Sequence, residues 1–466
     1  MQTDLTLSKE SISNTVRRLN GITVDFGGQR ISRENFCKLL SLGKQRKILE
    51  AFKLMREGAI VNPSENRPAL HTTLRNSSLD TEEARQVRQT LNRMYDFADG
   101  IRSGEIKGCR GQTINHVVNI GIGGSFLGPK AVYEALRKPK QEIKVSFLSS
   151  SDGVLFDRIM AEVDPFRTLF VVSSKSFTTA ETMVNAEEVI HYLKEMGMTD
   201  KELEKHIVTV STKSNAGELI GLPGSYHFPI WDWVGGRFSV WSAIGLPLVI
   251  ALGKEAFQEF LEGAKKVDDH TETAPIEENI PALLALFDYW NLNELDIPSV
   301  CFLPYDERLN LIGAWRQQLE MESLGKTALL DGSVTGQRTC PIIWSGNGDE
   351  SQHSFFQWIR EGTGKTALEL VTIKEPGHRH QKLFELIKRN AQAQTNALLL
   401  RNSGQYFNVL TLIQLEKLTP ETLGSLMAIY ENKVCLLGKL YNINPFNQPG
   451  VELGKKLARE AEEEKS

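Results

Sequence analysis

The chain has 466 residues, 41% hydrophobic and 24% charged, with a net charge of -4. That length suggests about three domain-sized units, or two large ones with a helical extension, and the charge supplies no basic field for nucleic acid or an acidic membrane. No window reaches the roughly eighteen apolar residues of a membrane span, MQTDLTLSKES lacks a secretory core, and five scattered cysteines without a C-x-x-C pair fit a reducing cytoplasm.

Residues 1–115 are polar and predict helices such as Glu82 to Ser103, with acid and base mixed along them and no catalytic pattern. From Val117 the texture changes to short β-branched runs separated by helical segments. VVNI at Val117, IKVSFL at Ile143, TLFVV at Thr168 and IVTV at Ile207 form a first set. PSVCFL at Pro298, PIIW at Pro341, ALELVTI at Ala367 and YFNVLTL at Tyr406 form a second. Helical stretches around Leu309 to Ser323, Phe355 to Glu361, Leu383 to Leu400 and Glu421 to Leu440 separate them. This rhythm predicts an α/β protein of two doubly wound parallel-sheet lobes in tandem, joined by the helical region from Ser242 to about Pro281. The predicted division is a helical N-terminal segment over 1–115, packed on the second lobe, a first lobe over 116–255, and a second lobe with a C-terminal helical arm over 256–466. In open sheets of this kind ligands sit beyond the carboxyl ends of strands, so the loops after strands hold the candidate chemistry.

The first such loop is GIGGS, Gly121 to Ser125, between a strand and a helical stretch from Lys130 to Arg137. A helix start there presents unpaired N–H groups and the positive end of a dipole to an anion. Phe126 stands where a dinucleotide fingerprint needs glycine, and Ser125 favours phosphate; a glycine turn that only brings strand and helix together is the alternative. The second loop, VVSSKSFTTAET from Val171, places Ser173, Ser174, Ser176, Thr178, Thr179 and Lys175 at another helix start. One hydroxyl would serve as a cap, so this density favours a cradle for a phosphate monoester.

WDWVGGRFSVWSAIG sets Arg237 behind two glycines, either as a surface charge or as a cation in a water-poor pocket facing a developing negative charge. In WRQQLEMESLGK, Gln318 and Glu322 are four apart on one helix face and able to converge on one ligand, although an isolated helical glutamate is ordinarily solvated surface. His353 in SQHSFFQW stands at a predicted helix start, where a structural histidine is ordinarily favoured over a catalytic one. EGTGKT at Glu361 has Ile359 where a P-loop needs glycine and follows a helix, so it reads as a helix C-terminal glycine turn. His378 to His380 has no accompanying cluster with metal spacing and reads as a loop.

Taken together these motifs resemble the metal-independent glucose-6-phosphate isomerase family, built from two sugar-isomerase (SIS) lobes. GIGGS, SKSFTT, GGRFS, QQLEMES, the QH of Gln352 and His353, and FNQPGVELGK from Phe446 follow that family's order, and span residues 117 to 455. Departures from the usual pattern are Phe126 for an acid, Leu324 for asparagine, ESQH for a TNGQH loop and Asn447 for aspartate. The resemblance implies that the anion is a sugar phosphate, held by Gly124 and Ser125 with Ser174, Lys175, Ser176 and Thr179. It implies Glu322 as the base that moves a proton between neighbouring carbons through an enediolate, and Arg237 as the cation that stabilises it. It also implies ring opening by His353 with Lys455, hydroxyl orientation by Gln318 and Gln448, no cofactor or metal, and a homodimer in which the histidine reaches in from the partner. Two alternatives are an isomerase that also accepts mannose 6-phosphate and a non-catalytic sugar-phosphate regulator; the latter would not need Glu322, Arg237, His353 and Lys455 together.

Overall fold

The computed structural model describes residues 14–76, 78–400 and 408–451, and residues 454, 457 and 460. Its strands are β1 (Val16–Leu19), β2 (Ile22–Gly28), β3 (His116–Ile120), β4 (Lys144–Leu148), β5 (Thr168–Ser173) and β6 (Ile207–Ser211), then β7 (Tyr226–Pro229), β8 (Ser299–Pro304), β9 (Ile342–Ser345), β10 (Ala367–Glu375) and β11 (Val409–Lys417). The first lobe is a parallel sheet in the order β4-β3-β5-β6-β7. Its central strands are buried on both faces, which is why they read as unbroken apolar runs. Val117, Leu169 and Val171 enter the main core on one face, while Val118, Phe170 and Val172 meet Ala186, Val189 and Leu193 on the other.

The second sheet runs β1-β2-β11-β10-β8-β9. Strands β8 to β11 are parallel, and β2 adds to β11 antiparallel. The Pro420–Tyr441 helix is buried nearly all round, against the Lys254–Thr273 and Ile280–Asn293 helices.

The N-terminal segment departs from the helical expectation. It opens with the β1–β2 hairpin, turned by Asn20 and Gly21 at φ of 45° and 75°, the positive values that a two-residue hairpin turn requires. Its alternation buries Ile22, Val24 and Phe26 and completes the second sheet. The Glu82–Ser103 helix lies where the sequence puts it, capped by the Thr81 side chain and ended by Gly104 at φ 75°. It packs on the Leu246–Leu252 helix and on β7, in the first lobe, while β2 and the Arg33–Gln45 and Ile48–Arg56 helices of the same segment pack on the second. Tyr406 and Phe407, and most of the C-terminal arm, lie outside the described residues.

Candidate active site

The GIGGS loop leaves β3 and enters the Gly124–Leu136 helix, which starts six residues before the helical stretch that the sequence suggests and so takes in Pro129. Proline has no N–H to return to the carbonyl of Ser125. Asn119 Nδ2 donates to that carbonyl instead, at 3.0 Å, and Asn119 Oδ1 accepts from Ser173 Oγ at 3.0 Å. The end of β3 is thereby tied to the end of β5, where the second loop begins. Gly123 sits at φ 59°, and a Cβ on it would lie 3.1 Å from Gln318 Nε2. Gly124 lies against the backbone of Gly236 and Arg237, so this turn touches both the arginine loop and the second lobe.

In the second loop Ser174 Oγ accepts from the Phe177 N–H at 3.1 Å and donates to Thr179 Oγ1, and Thr178 Oγ1 donates to Ser176 Oγ at 2.8 Å. Phe177 is buried at φ 55° and turns the chain back over the Ala180–Glu195 helix start, where Thr179 makes no side-chain cap. The hydroxyls and the start of the helix therefore share one turn. Lys175 points elsewhere: its Nζ donates to the carbonyls of Asp232 at 2.8 Å and Val234 at 2.9 Å. Burial, with Arg67 nearby, pushes its pKa down to about 8. Its ammonium braces the loop that leads to Arg237 rather than facing the cradle.

Arg237 is buried, with only 2% of its side chain exposed. Nε donates to Ser323 Oγ at 2.6 Å, Nη1 to Gln448 Oε1 at 3.1 Å, and Nη2 to the carbonyls of Pro445 at 2.6 Å and Asn447 at 3.1 Å. Nη1 also lies 3.4 Å from Glu322 Oε2. Burial lowers the arginine pKa and the Glu322 carboxylate counters it. Of the two readings of Arg237, its burial excludes the surface charge. The side chain of Asn447 donates to Ser64 Oγ at 2.9 Å and leaves a buried Oδ1 without a protein partner.

Glu322 ends a π-helical turn, Gln317–Glu322, which continues the Ile312–Arg316 helix. A wider turn of this kind changes which side chains share a face, and it is frequent at functional sites. Glu322 stays 23% exposed, Gln317 Nε2 donates to the carbonyl of Ile343 at 2.8 Å, and Gln318 keeps a buried Oε1 unpaired in the protein. The turn is anchored from beneath by side chains that the sequence does not single out. Arg316 pairs with Glu320 and Glu369 at 2.7 Å each, Lys433 joins Glu320 to Asp288 at 2.7 Å each, and Tyr430 donates to Glu369 at 2.7 Å. Ser323 and Lys326 are two further neighbours of the site. The only sequence signal for Lys326 is a cation four residues after Glu322, at the end of a helix.

His353 is exposed in the turn between the Gly348–Ser351 and Phe356–Glu361 helices, beyond β9, and its N–H donates to Glu350 O at 3.0 Å. Among the described residues no contact joins it to Glu322 or Arg237. Lys455 lies outside the described residues. Phe126 packs edge-on against Phe147, Leu324 is fully buried, and His378 to His380 is a loop. The EGTGKT segment follows a helix end at Gly362.

A model of the phosphoglucose isomerase family matches residues 25–410 and 408–466. The chain is 37% identical to glucose-6-phosphate isomerase 2 of Chromohalobacter salexigens, over 96% of its own length and 87% of that relative. It is 38% identical to a glucose-6-phosphate isomerase of Burkholderia pseudomallei, over 95% of this chain and 86% of that one. It is also similar to the crystal structure of a glucose-6-phosphate isomerase from Chlamydia trachomatis, with a TM-score of 0.87 and 32% identity over 98% of this chain and 91% of the other. With the glycine turn, the hydroxyl loop and the Arg237–Glu322 pair assembled at one seam, and matches of this extent, the chain belongs to the phosphoglucose isomerase family.

Proposed function

We propose that the protein interconverts glucose 6-phosphate and fructose 6-phosphate by moving one proton through an enediolate, with Glu322 as the base. The observation that carries this reading is the Glu322 carboxylate, 3.4 Å from a buried arginine and reachable from solvent. An enediolate carries negative charge that the sugar lacks, so a cation fixed by four other acceptors favours the transition state with little rearrangement. The unpaired Gln318 Oε1 is suited to accept a sugar hydroxyl, and Gln448 is held by Arg237 on the same side.

The phosphate is assigned to Gly124, Ser125, Ser174, Ser176, Thr178 and Thr179 and to the main chain of Lys175. A dianion held there anchors one end of the carbon chain, so the reacting carbons are presented to Glu322 as an intramolecular partner. The carbon-bound proton passes from C2 to C1 by way of Glu322 while a hydroxyl proton passes from O2 to O1, so the isomerisation is redox-neutral and calls for no cofactor. Ring opening is assigned to His353 and Lys455. The exposure of His353 on the surface beyond β9 supports its use in the site of a second copy, and hence a homodimer with shared sites. Among the described residues no helix is long and apolar enough to cross a membrane. A cytoplasmic enzyme is the corresponding reading.

Purified protein incubated with either hexose phosphate should yield the other. Binding of 6-phosphogluconate without turnover of either sugar would favour the regulator instead, and turnover of mannose 6-phosphate would widen the specificity.

A further inference from the structure

After the π turn the chain makes one more helical step through Ser323 and Leu324 and leaves at Gly325. The last carbonyls of a helix lack intrahelical partners. Lys326 folds back to supply one: its Nζ donates to the carbonyls of Glu322 and Ser323, at 2.8 Å each. Its own main chain is held in turn, since its carbonyl accepts from Thr339 Oγ1 at 2.9 Å. Ser323 is also the residue whose hydroxyl receives Arg237 Nε at 2.6 Å. One ammonium therefore grips the peptide that carries the base and the peptide on which the arginine rests, while Leu324 between them is buried.

We propose that Lys326 is a positioning residue: by holding these two carbonyls it sets Glu322 against Arg237 without touching the sugar. The proposal rests on the reading of Glu322 as the base. A charge-assisted donor is needed because both carbonyls are drawn by a single group, and a neutral amine grips them less firmly. The charged and titratable groups around the ammonium are Arg237, Glu322 and Cys340. Burial, then Arg237, pushes its pKa down to about 8, so the proton is present at neutral pH and is lost as the solution turns alkaline.

The test compares parent, Lys326→Met, Lys326→Arg and Glu322→Gln, with kcat and KM measured from pH 6 to 10 and with 6-phosphogluconate affinity alongside. In Lys326→Met, kcat should fall by about tenfold or more while KM and inhibitor affinity stay within about threefold. Lys326→Arg should restore most of kcat and carry activity to higher pH than the parent, because arginine keeps its charge there. A Lys326→Met enzyme with kcat within about twofold of parent, or one impaired only in KM, would overturn the proposal. If that variant does not fold, Lys326→Arg decides, and an alkaline limb unmoved from the parent overturns the proposal. An active Glu322→Gln enzyme removes the base itself, whereas an inactive one beside an unimpaired Lys326→Met removes only the tether.

Discussion

Gly124 has no room for a side chain, because a Cβ there would run into the carbonyl of Gly236, one residue before Arg237. Close approach of backbone to backbone is what lets the helix start proposed to hold the phosphate sit beside Arg237. Gly124→Ala should therefore force the two apart and lower kcat/KM by about a hundredfold or more, with 6-phosphogluconate affinity falling too. Unchanged kinetics would show that the contact has no role. The two loops were legible as candidates for anion binding because glycines and crowded hydroxyls follow strands there, whereas Arg237 stayed open between surface charge and buried cation until the family resemblance gave it a role. Lys175 was legible only as a cation: that its ammonium turns to the carbonyls of Asp232 and Val234 depends on a loop 57 residues away. Ser323 and Lys326 were not legible as site residues, since their roles exist only once the turn around Glu322 has formed.

At the scale of elements, the hydroxyl loop is the part assigned wholly to the phosphate. Ser174→Ala with Thr179→Ala should weaken 6-phosphogluconate binding by tenfold or more, yet lower stability by only about 1–2 kcal/mol, the loss of the Ser174 acceptor for the Phe177 N–H, because Thr179 makes no side-chain cap. Equal inhibitor affinity in the double variant would remove the cradle. The parallel strands were readable from their apolar runs, because both faces of β3, β5 and β8 are covered. The β1–β2 hairpin was missed although Asn20–Gly21 between alternating runs is a strong short-range hairpin signal. The polar composition of the segment masked it. β7, four residues of mixed character, was missed for want of any pattern. The π turn has no sequence signature, and its register is set by the buried Arg316, Glu320 and Lys433, which come together only in the tertiary fold.

Across the whole molecule, that buried network joins the site to the central Pro420–Tyr441 helix with two cations, Arg316 and Lys433, against the three carboxyls of Glu320, Glu369 and Asp288. Burial, only partly countered by Lys433, raises the Asp288 pKa to about 6 from its ordinary 3.8. Because the folded value is the higher one, the folded state binds more protons between these limits, so this group's contribution to stability is full below about pH 4 and is lost as pH rises through 6. Asp288→Asn should remove that decline, seen as a flatter dependence of the urea midpoint on pH between 4 and 6; a slope equal to the parent's would place the excess charge elsewhere. The proposed shared-site dimer makes its own prediction: mixing inactive His353→Ala and inactive Glu322→Gln proteins should restore activity as subunits exchange, and verified exchange without activity would remove the sharing. The central claim, that Glu322 carries the proton between neighbouring carbons, is tested most directly by following the C2 hydrogen of glucose 6-phosphate by NMR in deuterated solvent. The parent should incorporate deuterium during isomerisation, whereas Glu322→Gln should still bind the sugar phosphate but exchange slower by about ten-thousandfold, the upper end for loss of a sole general base. A Glu322→Gln enzyme that exchanges at the parental rate, or a parent that isomerises with no exchange at all, would contradict it.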